Sequence, residues 1–129
     1  MATVNQSKYF TEKELVCKCG CGKALMDSDF MSMLDSLRWR YNHPIVLSSA
    51  YRCPEYNNKI SGTGLNGPHT TGKAVDVKVS GESAHRLLVL AAQMQFPGIG
   101  VSQKGEHKSR FIHLDNIREG TRPWVWSYP

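Results

Sequence analysis

Three residues of this 129-residue chain combine types and positions suited to metal-assisted hydrolysis: His69, Asp76 and His113. In Gly67-Pro68-His69-Thr70-Thr71-Gly72-Lys73-Ala74-Val75-Asp76 a loop histidine is followed by an aspartate on a strand-like run, and Gly72 supplies a turn between them. Adding His113 makes a set of two histidines and one carboxylate. A catalytic zinc takes three protein ligands of this kind and leaves a fourth position to water, whereas a structural zinc is closed by four. The other histidines read differently. His43 precedes a proline in a turn and His85 stands at the start of a helix, so both read as structural or solvent-facing.

Three of the four cysteines stand as Cys17-Lys18-Cys19-Gly20-Cys21, with Cys53 far downstream. This alternate spacing differs from the paired C-x-x-C of a structural zinc knuckle. The default reading is reduced thiols in a glycine-rich turn, or one disulfide in an oxidising compartment, with a second metal site as the alternative.

The elements that must position the histidines and the aspartate follow from periodicity. Phe30, Met33, Leu34, Leu37 and Tyr41 recur at helical spacing, with Asp27 or Ser28 as the cap, which predicts a helix over 28–41 that ends at Asn42-His43-Pro44. Residues 45–51 read as a strand, Pro54 opens a short helix through Ile60, and Ala84, Leu87, Leu88 and Ala91 predict a helix over 82–95. Residues 61–67 carry three glycines and read as a turned or mobile loop leading into His69.

Two further strands carry the candidate ligands. In residues 74–79 the valines alternate with Ala74, Asp76 and Lys78, and in residues 110–115 Ile112 and Leu114 alternate with Phe111, His113 and Asp115. If the valine and Ile112/Leu114 faces are the covered ones, Asp76 and His113 emerge on a common opposite face. A third strand over 98–102 is joined to the His113 strand by a short connection, which favours an antiparallel pair. The expected class is therefore α+β, a single domain over 1–129 with a small, mostly antiparallel sheet and flanking helices. The ending from Arg122 to Pro129 is rich in aromatic residues; core packing is the default for these, and a sugar- or peptide-binding groove the alternative.

Composition narrows the function classes. Sixteen Lys and Arg against eleven Asp and Glu give a formal charge of +5, which favours encounter with a polyanion. The basic residues are scattered rather than gathered on one helix or stripe, so no nucleic-acid partner is expected and an anionic cell wall fits equally well. No stretch approaches the ~18 apolar residues of a membrane span, so no membrane insertion is expected. Met1 to Phe10 lacks the charged and apolar regions of a secretory signal. The expectation is synthesis in the cytoplasm, with action on the wall after release or within a phage lysis system, as a monomer.

The stretch His69-Thr70-Thr71-Gly72-Lys73-Ala74-Val75-Asp76, preceded by Ser49-Ala50-Tyr51-Arg52 and followed by Phe111-Ile112-His113-Leu114-Asp115, resembles the zinc D-alanyl-D-alanine carboxypeptidase family. That family includes cell-wall peptidases and phage endolysins and shares its fold with the Hedgehog signalling domain. The resemblance runs from about Phe10 to the carboxy terminus. It implies that His69, Asp76 and His113 bind Zn2+, and that Arg52 engages a carboxylate of the peptide substrate, a task suited to the planar guanidinium fork. The alternative for Arg52 is a structural ion pair near the site.

The resemblance leaves the general base open. Many family members carry Glu or Asp three residues before the last ligand, or a second histidine two residues before it, where this chain has Arg110 and Phe111. His107 stands where the Hedgehog-type pattern has a glutamate, and an imidazole suits proton transfer at neutral pH. Glu106 is its neighbour. Asp115 shares the face of His113 and could act as base or orient a ligand histidine. The first residue of the family's usual S-x-H start is also changed, to Gly67. Two functions follow: a zinc-dependent peptidase acting on peptidoglycan stem peptides, as DD-carboxypeptidase or endopeptidase, or a non-catalytic zinc-stabilised module that binds peptide or cell wall.

Overall fold

The computed structural model describes residues 2–129. The elements in chain order are β1 (Thr3–Val4), α1 (Glu12–Leu15), β2 (Met26–Asp27), α2 (Ser28–Tyr41), β3 (Leu47–Ser49), α3 (Pro54–Ile60), β4 (Ala74–Lys78), α4 (Gly81–Gln93), β5 (Gly98–Ser102), β6 (Phe111–Asp115) and β7 (Trp124–Ser127). Strands β1 and β2 form a small antiparallel ribbon. The main sheet has the order β3-β4-β6-β5-β7, antiparallel except for the β5–β7 pair. This is the α+β class expected from the periodicity.

Local chemistry explains the helix bounds. Asp27 caps α2 by accepting from the Phe30 N–H at 3.0 Å, and Asn42 closes the helix in the left-handed region. Phe30, Met31, Leu34, Leu37 and Tyr41 are buried, so Met31 takes the fully buried place expected of Met33, which is only partly covered. Pro54 at the first turn of α3 starts a helix that ends at Ile60, as the sequence suggests. The strand expected over 45–51 shortens to Leu47–Ser49, and its register with β4 shifts between Leu47 and Ser49.

The core lies on one face of the sheet. Val75 and Val77 of β4 sit opposite Leu114 and Ile112 of β6, which in turn sit opposite Ile99 and Val101 of β5. Helix α4 packs against β6 and against α2, and Ala84, Leu87 and Ala91 join these residues in one apolar cluster. Burying that face obliges the alternate residues to point the other way. Among the described residues no helix is long and apolar enough to cross a membrane.

Candidate active site

On the face opposite the core, one row of residues crosses four strands: Asp76 on β4, His113 on β6, Gly100 on β5 and Trp126 on β7. The adjoining row on the same face is Ala74, Asp115, Gly98 and Trp124. The two glycines explain how such a row fits. A Cβ at Gly98 would collide with the Asp115 carboxylate, and one at Gly100 would collide with the Trp126 indole. Strand β5 thus leaves its site face bare, so that an acidic side chain and an aromatic ring can lie across it.

His69 reaches this face from a 3-10 turn over Pro68–Thr71, which ends at Gly72 with a φ of 74°. A side chain at Gly72 would also run into the Leu25 carbonyl, and the Asp27 N–H donates to the Gly72 carbonyl at 2.9 Å, so the turn is fastened to the β2 segment. Gly67, which replaces the serine expected there, has a direct reason as well. A Cβ at that position would collide with Thr63 Oγ1 and crowd Asn57 Nδ2.

His69 Nε2 lies 3.3 Å from Asp76 Oδ1, and His113 Nδ1 lies 3.1 Å from the same oxygen. One ligand atom from each of the three residues falls within 4.8 Å of the others. Zinc held tetrahedrally by nitrogen and oxygen at ~2.0–2.1 Å places its ligand atoms ~3.4 Å apart, so the donor set fits the ion. The outer nitrogens agree. His69 Nδ1–H donates to the Ala50 carbonyl at 2.8 Å, and His113 Nε2–H donates to Asp115 Oδ2 at 2.8 Å. Each ring, when neutral, is therefore held in the tautomer that aims a lone pair at the shared point.

The charges are tightly coupled. Burial pushes the Asp76 carboxyl upward, but hydrogen bonds and positive charge from His113 and His69 outweigh it and hold the group well below the usual carboxylate range. Burial works against a proton on His113, yet its bonds to Asp115 and Asp76 raise its pKa above the ordinary imidazole value. Asp115 is opposed by burial too, and the partners His113 and Arg122 hold it low. In the absence of a cation, a proton thus competes for the position that a metal would take.

Arg52 stands beside the three residues. Its Nε donates to Ser49 Oγ and its Nη1 to Asn57 Oδ1, each at 3.0 Å, and its Nη2 lies 3.5 Å from Asp76 Oδ2. Of the five guanidinium N–H groups, two keep free capacity. Asn57, fully buried, also donates to Thr63 Oγ1 and to the Gly64 carbonyl, so it ties α3, the glycine-rich loop and Arg52 together. A polar residue inside a short helix carries no pattern that would have marked this role in the sequence.

The three candidates for a base are dispersed. His107 lies in a 3-10 turn over His107–Ser109 and lines a separate cavity with Tyr41, Pro44 and Lys78, away from the ligands. Glu106 is exposed and pairs with Lys108 at 3.4 Å. Asp115 is fully buried, and its oxygens are taken by His113, by Arg122 and by the Ile117 N–H. Its geometry is that of a residue orienting His113. Arg110, at the position where a carboxylate is usual, turns back to donate to the Gly105 carbonyl.

A cavity of about 710 Å³ opens over the cluster, lined by Arg52, His69, Asp76, His113, Trp126 and Tyr128 among others. The aromatic ending does not pack into the core. Trp124 is exposed on the edge strand, while the Trp126 ring lies 5.1 Å from His113 with the Arg122 guanidinium 4.8 Å above it. Asp76 is the one carboxylate in the lining among the described residues. A family model described as Peptidase M15 matches residues 8–115. No curated protein and no solved structure matches the chain.

Proposed function

The chain belongs to the peptidase M15 family, and from that premise we propose that it is a zinc metallopeptidase that hydrolyses peptidoglycan stem peptides, as DD-carboxypeptidase or endopeptidase. The observation that carries this reading is the convergence of His69, Asp76 and His113 on one point at the floor of an open cavity, with both rings held by outer hydrogen bonds. A zinc ion bound there would polarise the scissile carbonyl and lower the pKa of its water toward ~7.

The remaining work falls to the chain's own side chains. Arg52 has free N–H groups beside the ligands and is the natural partner for a carboxylate of the stem peptide. Trp126 and Tyr128 wall the cavity on the side of β7 and limit access of water to the bound peptide. Burial raises the Tyr128 phenol above its ordinary value, so it keeps its proton at neutral pH and can donate a hydrogen bond to the peptide but does not serve as a base for water. A wall reached after lysis, including phage lysis, is the setting that suits this substrate and the basic charge of the chain.

A second reading is favoured by one observation. No carboxylate or imidazole other than the ligands lines the cavity among the described residues, which suits a module that binds stem peptides without cleaving them. Digestion of purified cell walls separates the two. Zinc-loaded protein is expected to release new amino or carboxy termini, with loss on chelation and return on zinc addition. Binding to the same walls with no released fragment would leave the module reading standing and overturn the peptidase.

A further inference from the structure

Away from the cavity, the fold gathers Cys17, Cys19, Cys21 and Cys53 so that their sulfurs all lie within 4.8 Å of one another. We propose that these four residues form a second metal site, a closed zinc tetrathiolate with a structural role. It rests on different residues from those of the proposed peptidase centre and stands independently of that reading.

The geometry separates this reading from the two that the spacing favours. Zinc bound to four sulfurs at ~2.3 Å in a tetrahedron sets them ~3.8 Å apart. Cys17 Sγ and Cys19 Sγ are 3.5 Å apart, and Cys19 Sγ and Cys53 Sγ are 3.6 Å apart. A disulfide needs ~2.05 Å and would draw one pair away from the rest. Here Cys19 is nearly equidistant from two neighbours, and all four cysteines are free. The sulfurs converge on a common centre instead of pairing.

The backbone is shaped for such a centre. The loop over 18–22 is closed by the Cys17 N–H donating to the Lys23 carbonyl at 2.8 Å. Gly20 and Gly22 adopt φ values of 91° and 80°, although a Cβ at either would meet open space. These glycines are therefore needed for conformation, and the two left-handed turns swing Cys19 and Cys21 back toward Cys17. Cys53 enters from the residue preceding α3, and its N–H donates to Cys17 Sγ at 3.3 Å, the contact by which a backbone amide stabilises a metal-bound thiolate. Four sulfur ligands in this arrangement select zinc or iron, and four protein donors leave no position for water.

Its purpose follows from what Cys53 adjoins. Residues 50–53 form one corner: the Ala50 carbonyl holds the His69 ring, the Arg52 N–H donates to the His69 carbonyl at 3.2 Å, and the Tyr51 N–H donates to the Leu15 carbonyl at 3.3 Å. A metal at Cys53 would fasten the amino-terminal loop to the backbone that carries Arg52 and steadies His69.

The test is metal counting on intact protein purified under reducing conditions, by inductively coupled plasma mass spectrometry, beside the His69→Ala/His113→Ala variant. Two zinc ions are expected in the first and one in the second, and cobalt substitution of the variant is expected to give an intense thiolate-to-cobalt charge-transfer band in the near ultraviolet. Cys19→Ser/Cys21→Ser, which alters the two exposed ligands, is expected to lose one zinc. Should that variant fold poorly, titration of the wild type with an organomercurial gives the same information, because thiol capture would release one zinc in step. A His69→Ala/His113→Ala protein without zinc, iron in place of zinc, or a disulfide mapped among these cysteines in the protein as purified would overturn the proposal.

Discussion

The two clusters at either end of the corner formed by residues 50–53 make a comparison within one small molecule. Beside Ala50 and Arg52, two imidazoles and a carboxylate converge under an open cavity, buried, with each ring bonded to a backbone carbonyl or a second carboxylate. Beside Cys53, four thiols converge near the surface, with Cys17 and Cys53 buried and Cys19 and Cys21 exposed. Ligand number and softness separate the roles. Three hard or borderline donors with space above them suit a reaction, and four thiols with no vacancy suit a fastening.

The largest expected effect comes from emptying the first cluster alone. Asp76→Ala or His113→Ala should lower cell-wall hydrolysis by roughly 10³-fold or more, since a metal supplies several kcal/mol of transition-state stabilisation. The same variants should keep the thiol-bound zinc, which elemental analysis would read. Loss of both ions together would show that the clusters form one cooperative unit and not two independent sites.

Emptying the second cluster should act mainly on stability. Cys19→Ser/Cys21→Ser is expected to lower Tm by about 10 °C or more, as several kcal/mol would in a domain of this size. Hydrolysis per remaining zinc should change by less than about tenfold, because the corner loosens without losing a ligand. Calorimetry and activity on the same preparation check both halves.

Asp115→Asn touches only the outer support of the first cluster. Zinc affinity there should fall roughly 10- to 100-fold, the usual consequence of removing a carboxylate behind a ligand histidine. A competition titration with a chromogenic chelator would read it. Unchanged affinity would mean that His113 needs no such support.

Arg52→Lys is subtler. It should cut kcat/KM about tenfold, ~1.4 kcal/mol, for a stem peptide ending in a free carboxylate and leave an amidated peptide nearly unaffected, because lysine cannot offer the paired N–H fork. Equal losses on both peptides would assign Arg52 to positioning Asp76 instead.

The smallest effect concerns pH and protein stripped of metal. The raised pKa of His113 contributes stability that is complete below ~6.5 and lost as pH rises through its folded value. The depressed Asp76 and Asp115 contribute stability present above ~3.9 and lost as pH falls through their folded values. Tm of the stripped protein should therefore be highest between about pH 4 and 6.5. A Tm that rises steadily through neutrality would contradict it.

The sequence reveals these regions unequally, and the reason is topological. Asp76 and His113 sit on strands whose apolar residues alternate, so parity alone puts them on one face, and the β4–β6 register then sets them directly opposite. Helix α2 was legible from its apolar spacing and Asp27 cap. The thiol cluster was legible only as the alternative to reduced thiols or a disulfide, because Cys53 reaches the loop through the turn between β3 and α3, which spacing in the first cysteine run cannot show. Asn57 was hidden for a similar reason, because it acts through a contact formed after α3 is assembled, and Trp126 was legible only as one of the aromatic residues of an ending open to either core or groove. His107 had the right chemistry but lies in a turn that faces another cavity.

The proposed function makes the histidine–aspartate cluster a hydrolytic zinc centre for wall peptides. Mass spectrometry of a defined muropeptide incubated with protein of measured zinc content, beside Asp76→Ala at the same concentration, tests it most directly. A product cut at one peptide bond is expected from the wild type and none from the variant. An intact muropeptide after incubation with fully zinc-loaded wild type, under conditions where it binds, would contradict it.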